Sequence, residues 1–284
     1  ILANDTTGAD GASIAGVRAA GADTTTAVTN GTMTVSTALG TLTVLADGSY
    51  SYQSNPNSVS AATQDVFVYT LVDGDGDLTT TTLTINLADS GLVAPADSDV
   101  TVNEAALDLS QDGQDLAPST VTGSLPGSTA ETDATNQLNA TGGVGALTYT
   151  AQTIVGTYGT IEIHANGSYV YTLTSPVDGP TANNATNTIS GLENFTYTVT
   201  DAVGNTTTGT ITVSIIDDVP SAVADSGNVN EGALLSVSAA GGILANDTTG
   251  ADGASIAGVR ASGADTTTAV TNGTMTESTA LGTL

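Results

Sequence analysis

The chain has 284 residues, with 29 Asp and Glu against 2 Lys and Arg, and a formal net charge of -27. With no basic face it cannot neutralise nucleic-acid phosphates or anionic headgroups, and with no cysteine it has neither disulfides nor thiolate metal sites. Its 39% hydrophobic content separates it from acidic disordered tails, and no run of about 18 apolar residues is present to insert into a membrane.

In chain order, the opening ILANDTTGADGASIAGVRA leads into short alternating segments. Leu42 and Val44 mark one strand, and Asp47-Gly48 reads as a hairpin turn, because Asp, Asn and Gly tolerate positive φ. Tyr50 and Tyr52 follow in core-like alternation. A strand over 66–72 then leads to the loop Asp73-Gly74-Asp75-Gly76-Asp77, and a last strand runs to Asp89. The pattern recurs downstream. Val-Asn-Glu104 closes a short strand, and Ile161 and Ile163 alternate before the Asn166-Gly167 turn. Tyr169 and Tyr171 follow, then Phe195, Tyr197 and Val199, the loop 201–205 and a strand ending at Asp217-Asp218. Thr, Val, Ile and Tyr favour strands, and no segment sustains a helical period. Short strands with regular turns predict an all-β, two-sheet sandwich.

Residues 1–42 recur at 243–284, an offset of 243 − 1 = 242, with only Ala20/Ser262 and Val35/Glu277 differing. That near-identity marks a piece of a long tandem array. A weaker repeat lies inside it. LGTLTVLADGSYSYQS parallels YGTIEIHANGSYVYTL, FVYTLVDGDGD parallels FTYTVTDAVGN, and ADSDVTVNE parallels ADSGNVNE. Two related domain types therefore alternate. Residues 1–89 form the later part of one, whose opening strands are of the type seen in 219–242. Residues 90–217 form a whole domain, and 218–284 the front of the next. Neighbouring copies are placed to complete each other head to tail by strand addition.

Acids gather at predicted loops and linkers. They are Asn4-Asp5 with Asp10, Asp73, Asp75, Asp77, Asp89, Glu104, Asp112, Asp115, Asp201, Asp217, Asp218, and Asn246-Asp247 with Asp252. Asp97, Asp225 and Glu231 are further candidates, the first two at edge-strand positions and Glu231 after a short strand. Close carboxylates repel by about 1 kcal/mol in water at ~4 Å, and by about 4 at an effective dielectric of 20. So few basic residues cannot relieve this, whereas a hard dication with oxygen ligands can. Ca²⁺ takes six to eight oxygens in flexible geometry and suits these loops better than Mg²⁺. The loop 73–77 is not an EF-hand, since its twelfth position is Thr84, and no nonapeptide calcium repeats occur. In the loop 201–205, Val203 replaces the central acid, predicting weaker or different binding.

The run VNEGALLSVSAAGGILANDTTGADG, with ADGSYSY and FVYTLVDGDGD, resembles the Ig-like, cadherin-like extender repeats of giant bacterial RTX biofilm adhesins. The resemblance implies tandem sandwiches in an elongated array with Ca²⁺ at the junctions. The implied role is a non-catalytic stalk at the bacterial cell surface, exported by type I secretion, projecting a distal adhesive region whose ligand this segment does not reveal. It also implies ligand sets. Asp89, Asp112, Asp115 and Asp201, with Ser90, serve the junction entering the middle domain. Glu104, Asp217, Asp218, Asn246, Asp247 and Asp252 serve the junction leaving it. Asp73, Asp75 and Asp77, with Asn4, Asp5 and Asp10, serve the near end of the first domain.

Two other classes fit less well. A Ca²⁺-dependent, lectin-like carbohydrate module wants exposed aromatic platforms, and only 4% of residues are aromatic, with no Trp. An enzyme would have to work with His164, the one His, which is predicted to face solvent, and with paired acids that lie at domain ends rather than in a cleft.

Overall fold

The computed structural model describes residues 1–108, 123–125, 127–179, 186–263, 265–271 and 273–284. The described elements are β-strands and three short 3-10 turns, Leu2–Asn4, Glu104–Ala106 and Ala239–Gly241.

The first sandwich is built from β1 (Ala12–Ala19), β2 (Thr34–Ser36), β3 (Gly40–Val44), β4 (Tyr50–Ser54), β5 (Thr63–Asp73) and β6 (Leu78–Leu87). One sheet has the order β1-β5-β6 and the other β2-β3-β4. Alternation puts one face of each inward. Ile14 and Val17 of β1, Leu42 and Val44 of β3, and Phe67, Tyr69 and Leu71 of β5 form one buried cluster. Each such side chain contributes about 1.5–3 kcal/mol on burial. The Asp47-Gly48 turn forms as predicted, with Gly48 at φ 81° and the Asp47 carboxylate accepting from Ser49 N at 2.9 Å.

The second sandwich contains β7 (Thr101–Asn103), β8 (Thr132–Gln137), β9 (Thr148–Tyr149), β10 (Gln152–Val155), β11 (Gly159–Ile163), β12 (Ser168–Leu173), β13 (Thr188–Thr200) and β14 (Thr206–Ile216). Its sheets run β10-β11-β12-β8 and β7-β14-β13-β9. Ile161, Ile163, Tyr171 and Leu173 face Phe195, Ile211, Val213 and Ile215, all buried, and the Tyr171 and Phe195 rings lie 5.9 Å apart. The short β7 pairs in parallel with the end of β14, Ile215 opposite Val102. That register brings Glu104 to the level of Asp217.

Gly40 and Gly159 occupy equivalent places for one steric reason. A Cβ at either would lie about 2.5 Å from the hydroxyl end of Tyr52 or 2.4 Å from that of Tyr171. The two rings can therefore cross their neighbouring strands. Their hydroxyls reach Asp65 at 2.8 Å and Glu193 at 2.5 Å, acids at matching positions of β5 and β13. Glu193 also accepts from the Thr157 and Tyr158 amides. In a chain without lysine, side-chain hydroxyls and backbone amides serve these two buried acids. Burial first, and then the facing carboxylate, push the Tyr52 and Tyr69 hydroxyls up to about 12, so both stay protonated as donors.

The contacts divide the chain into two compact units. One holds Ile1–Pro95, Asn139–Thr150 and Thr198–Gly209; the other holds Ala96–Leu138, Ala151–Tyr197 and Thr210–Leu284. The tips of β13 and β14 thus group with the first sandwich. Beyond Asp218 the described residues are largely exposed; they include the 3-10 turn Ala239–Gly241, a bridge between Ser221 and Thr248, and a small hairpin, β15 (Ser278–Thr279) with β16 (Gly282–Thr283).

Candidate metal centre

Glu104, Asp217 and Asp252 each present a carboxylate oxygen within 4.8 Å of the others. Glu104 follows β7, Asp217 follows β14, and Asp252 belongs to the repeated segment after the linker. Glu104 is fully buried. Its Oε1 accepts from Asp218 N at 2.7 Å and its Oε2 from Val177 N at 2.8 Å. Asp217 is 7% exposed, and a Cβ at Gly179 would lie 2.3 Å from its carboxylate oxygens, so only glycine permits this approach. Burial, partly offset by its two amide donors, pushes Glu104 up to about 7. Burial, then Asp178, Asp217 and Asp218, push Asp252 up to about 6, and burial likewise raises Asp217. Asp178 is an acid of this neighbourhood that sequence reasoning missed, because nothing in its local spacing distinguishes it.

Neither basic side chain is available to neutralise the group. Arg18 pairs with Asp23 at 3.3 Å, and Arg260 pairs with Asp265 at 3.4 Å. Three carboxylates drawn together with oxygen-only donors and an exposed side at Asp252 fit a hard dication.

Asp218, beside the cluster, has a different task. Its oxygens accept from Ser124 N at 2.8 Å, Ser124 Oγ at 2.5 Å, Val219 N at 3.0 Å and Ala251 N at 3.1 Å. It fastens the linker to what precedes and follows it. Asp247 caps the same segment by accepting from Val223 N at 2.7 Å, and Asn246 is exposed.

The second gathering is the loop between β5 and β6, where Asp73, Asp75 and Asp77 also bring carboxylate oxygens within 4.8 Å of one another. Asp73 is aimed by the Gly76 and Asp77 amides at 3.0 and 2.7 Å. Its closeness to Asp75 holds Asp73 down and pushes Asp75 up. Asp10 stands beside this loop, its Cβ 3.3 Å from where a side chain on Gly74 would begin. Asp5 accepts from the Tyr69 hydroxyl at 3.0 and 2.9 Å, and Asn4 is exposed.

The loop between β13 and β14 is built differently. Asp201, 5% exposed, accepts from Val203 N, Asn205 N, Asn205 Nδ2 and Val144 N at 2.8–3.0 Å. Burial alone would raise Asp201, but these donors outweigh it and hold it at about 2. Asp89 is exposed and lines a cavity of about 210 Å³ with Ser90, Val144, Val203 and Asn205. Asp112 and Asp115 lie outside the described residues. Asp97 accepts from the Tyr169 hydroxyl at 2.8 Å, closing the segment before β7 over that ring.

Two expectations about aromatic and basic rings meet the structure differently. His164 lies half-exposed with Glu162 at 3.8 Å. Tyr50 was expected in the core, yet it is 47% exposed, whereas its counterpart Tyr169 is fully buried. The reason is cover: residues 97–100 close over Tyr169, and no described segment does so for Tyr50.

No protein-family model matches the chain, and no curated protein sequence does. Among solved structures, the human desmocollin-1 ectodomain aligns over 65% of this chain and 33% of its own, at 15% identity and a TM-score of 0.24. Mouse cadherin-23 EC22-24 aligns over 62% and 49%, at 13% identity and a TM-score of 0.20. Protocadherin gamma B7 domains 1-4 align over 68% and 43%, at 15% identity and a TM-score of 0.20. The chain thus matches half or less of the length of each. At such scores the assignment of an all-β, tandem-sandwich fold rests on the strand registers described above.

Proposed function

We propose that this chain is a non-catalytic extender segment of a bacterial cell-surface adhesin, stiffened by Ca²⁺ where successive sandwiches meet. The observation that carries the reading is the cluster of Glu104, Asp217 and Asp252, which joins the base of one sandwich, its exit linker and the next repeat. Glu104, Asp217 and Asp252 would hold the ion directly, with Asp218 fixing the linker backbone beside it. Occupancy at 100-fold over Kd stabilises the joined state by about 2.7 kcal/mol. That is several times thermal energy, enough to convert a flexible link into a fixed one.

The repeat offset supports a larger centre. Asp10 and Asp252 are the same position of the repeat, since 10 + 242 = 252. Asp10 lies against the loop 73–77, and Asp252 lies against Glu104 and Asp217. In this reading the triple-Asp loop of one repeat would lie beside the Glu104 cluster of the repeat before it, as two parts of one centre.

Neighbouring repeats are the partners in this reading. Among the described residues no strand pairs with the outer edge of β6, whereas β14, in the same place, carries β7. The strand matching β7 lies at Val229-Asn230, where Val229 is 56% exposed against 1% for Val102. A segment of the 219–242 type laid along β6 would supply that strand and put an Asp225 equivalent over Tyr50. Extracellular placement and export by type I secretion follow from the same adhesin reading.

The test is small-angle scattering and thermal melting with Ca²⁺ and with chelator. The reading requires a longer, stiffer particle and a higher Tm with Ca²⁺; superimposable profiles would reject it. Glycan-array binding that needs Ca²⁺ would replace it with a lectin-like role.

A further inference from the structure

The turn after β4 and the loop between β13 and β14 are fastened to each other by amide and hydroxyl groups. Asn57 N donates to Asn205 Oδ1 at 2.8 Å, Asn57 Nδ2 donates to Thr206 Oγ1 at 2.8 Å, and Thr206 N donates to Asn57 Oδ1 at 2.9 Å. Every polar atom of the Asn57 side chain is used. So is every polar atom of the Asn205 side chain, because its Nδ2 is turned onto Asp201. That second bond orients the Asn205 carbonyl oxygen toward Asn57.

Both sides are shaped for the contact. Asn57 is the one described non-glycine residue with positive φ, at 53°, a conformation Asn tolerates and most residues resist. Gly204, at φ 95°, lies so close to Pro56 that a Cβ would come within 3.2 Å of its ring.

The equivalent loop of the first sandwich makes the contrast chemical. Asp73, Asp75 and Asp77 correspond to Asp201, Val203 and Asn205. Asp77 can only accept hydrogen bonds when ionised, so its side chain offers Asp73 no donor. Exchanging that position for Asn supplies an amide donor to Asp201 from within the loop. Val203 removes the central charge. The loop then needs no cation and presents a carbonyl oxygen to a partner amide.

We propose that the joint between the 1–89 sandwich and the 90–217 sandwich is the exception to Ca²⁺ stiffening, a cation-independent clasp centred on Asn57 and Asn205 in place of the ligand set of Asp89, Asp112, Asp115 and Asp201. Because two domain types alternate, the array alternates clasped joints with joints of the Glu104 kind. Removing Ca²⁺ loosens every second joint and leaves the sandwiches linked in stiff pairs. The assignment of the other joints rests on the reading above; the clasp itself does not.

The chain has no cysteine, so engineered pairs can be spin-labelled uniquely. Distances between Thr81→Cys and Glu162→Cys report on the clasp, and those between Glu162→Cys and Thr266→Cys on the following joint. For the clasp, the expected result is one narrow distance distribution that chelator leaves unchanged and that Asn57→Ala broadens with or without Ca²⁺. Asn57→Gly relieves the backbone strain while deleting the amide, and it should broaden the distribution equally if the side-chain bonds matter. Chelator-induced broadening across the clasp in the parent chain overturns the proposal, as does a narrow distribution in both Asn57 variants. A following joint that ignores chelator counts against the Ca²⁺ reading alone.

Discussion

The Oε1 of Glu104 accepts the backbone amide of Asp218 at 2.7 Å across 114 residues of chain. A side chain at the base of the second sandwich thereby anchors the linker that leaves its far strand. Asp218 in turn accepts the amide of Ala251 at 3.1 Å, passing the anchorage into the next repeat.

Replacing Glu104 by Ala strands the Asp218 and Val177 amides in a buried place. The expected cost is about 2 kcal/mol or more, from about 1–3 for each unsatisfied group. Denaturant titration in chelator should show the loss. An unchanged midpoint there would mean the carboxylate acts only through an ion.

Asp252 contributes charge to the cluster and accepts no hydrogen bond among the described residues. Asp252→Asn should therefore raise or leave unchanged the Tm in chelator, while weakening Ca²⁺ binding about tenfold or more, a change of about 1.4 kcal/mol. Calorimetric titration with Ca²⁺ measures the second effect. Equal affinity in variant and parent would remove Asp252 from the centre.

The cluster also sets a pH dependence. Glu104 is raised from 4.5 to about 7 and Asp252 from 3.8 to about 6. Over those windows the folded state binds more protons than the unfolded one, so stability falls as pH rises. In chelator the Tm should drop between pH 5 and pH 7.5, and Ca²⁺ should flatten that slope by taking the place of the protons. Because general repulsion among 29 acids acts in the same direction, the Asp252→Asn variant provides the comparison. Its slope must be shallower than the parent's.

Tyr171→Phe removes a donor from Glu193, which is 6% exposed. A cost of about 1–3 kcal/mol is expected, the same with Ca²⁺ as with chelator, because this acid serves the core and not a joint. A Ca²⁺-dependent penalty would show that the two are linked.

Much of the fold was legible in the sequence because its signals are local. The Asp47-Gly48 and Asn166-Gly167 turns, the alternation through Leu42, Val44, Ile161 and Ile163, and the acidic loop 73–77 each depend on a few adjacent residues. The duties of individual acids did not follow from the same pattern. Asp201 resembles Asp73 in sequence, yet its carboxylate is occupied by four donors, one of them from Val144 on a distant loop. Asp5, Asp65, Asp97 and Glu193 each face a tyrosine hydroxyl supplied by another strand.

The near-identical segments 1–42 and 243–284 separate the two kinds of information. The Asx turn survives in both, with Asp23 accepting from Thr25 N at 2.9 Å and Asp265 from Thr267 N at 2.9 Å, and the Arg pairing recurs with it. A remnant of the following hairpin recurs too, as β15 and β16. But Ala12–Ala19 is a strand because β5 lies beside it, and the same residues at 254–261 form none. Leu42 is fully buried, while Leu284 is 79% exposed. Short-range hydrogen bonds and turn preferences are carried by neighbours in the chain, so the sequence alone determined them. Strand formation and burial need a second surface from far along the chain, and only the tertiary structure supplies it.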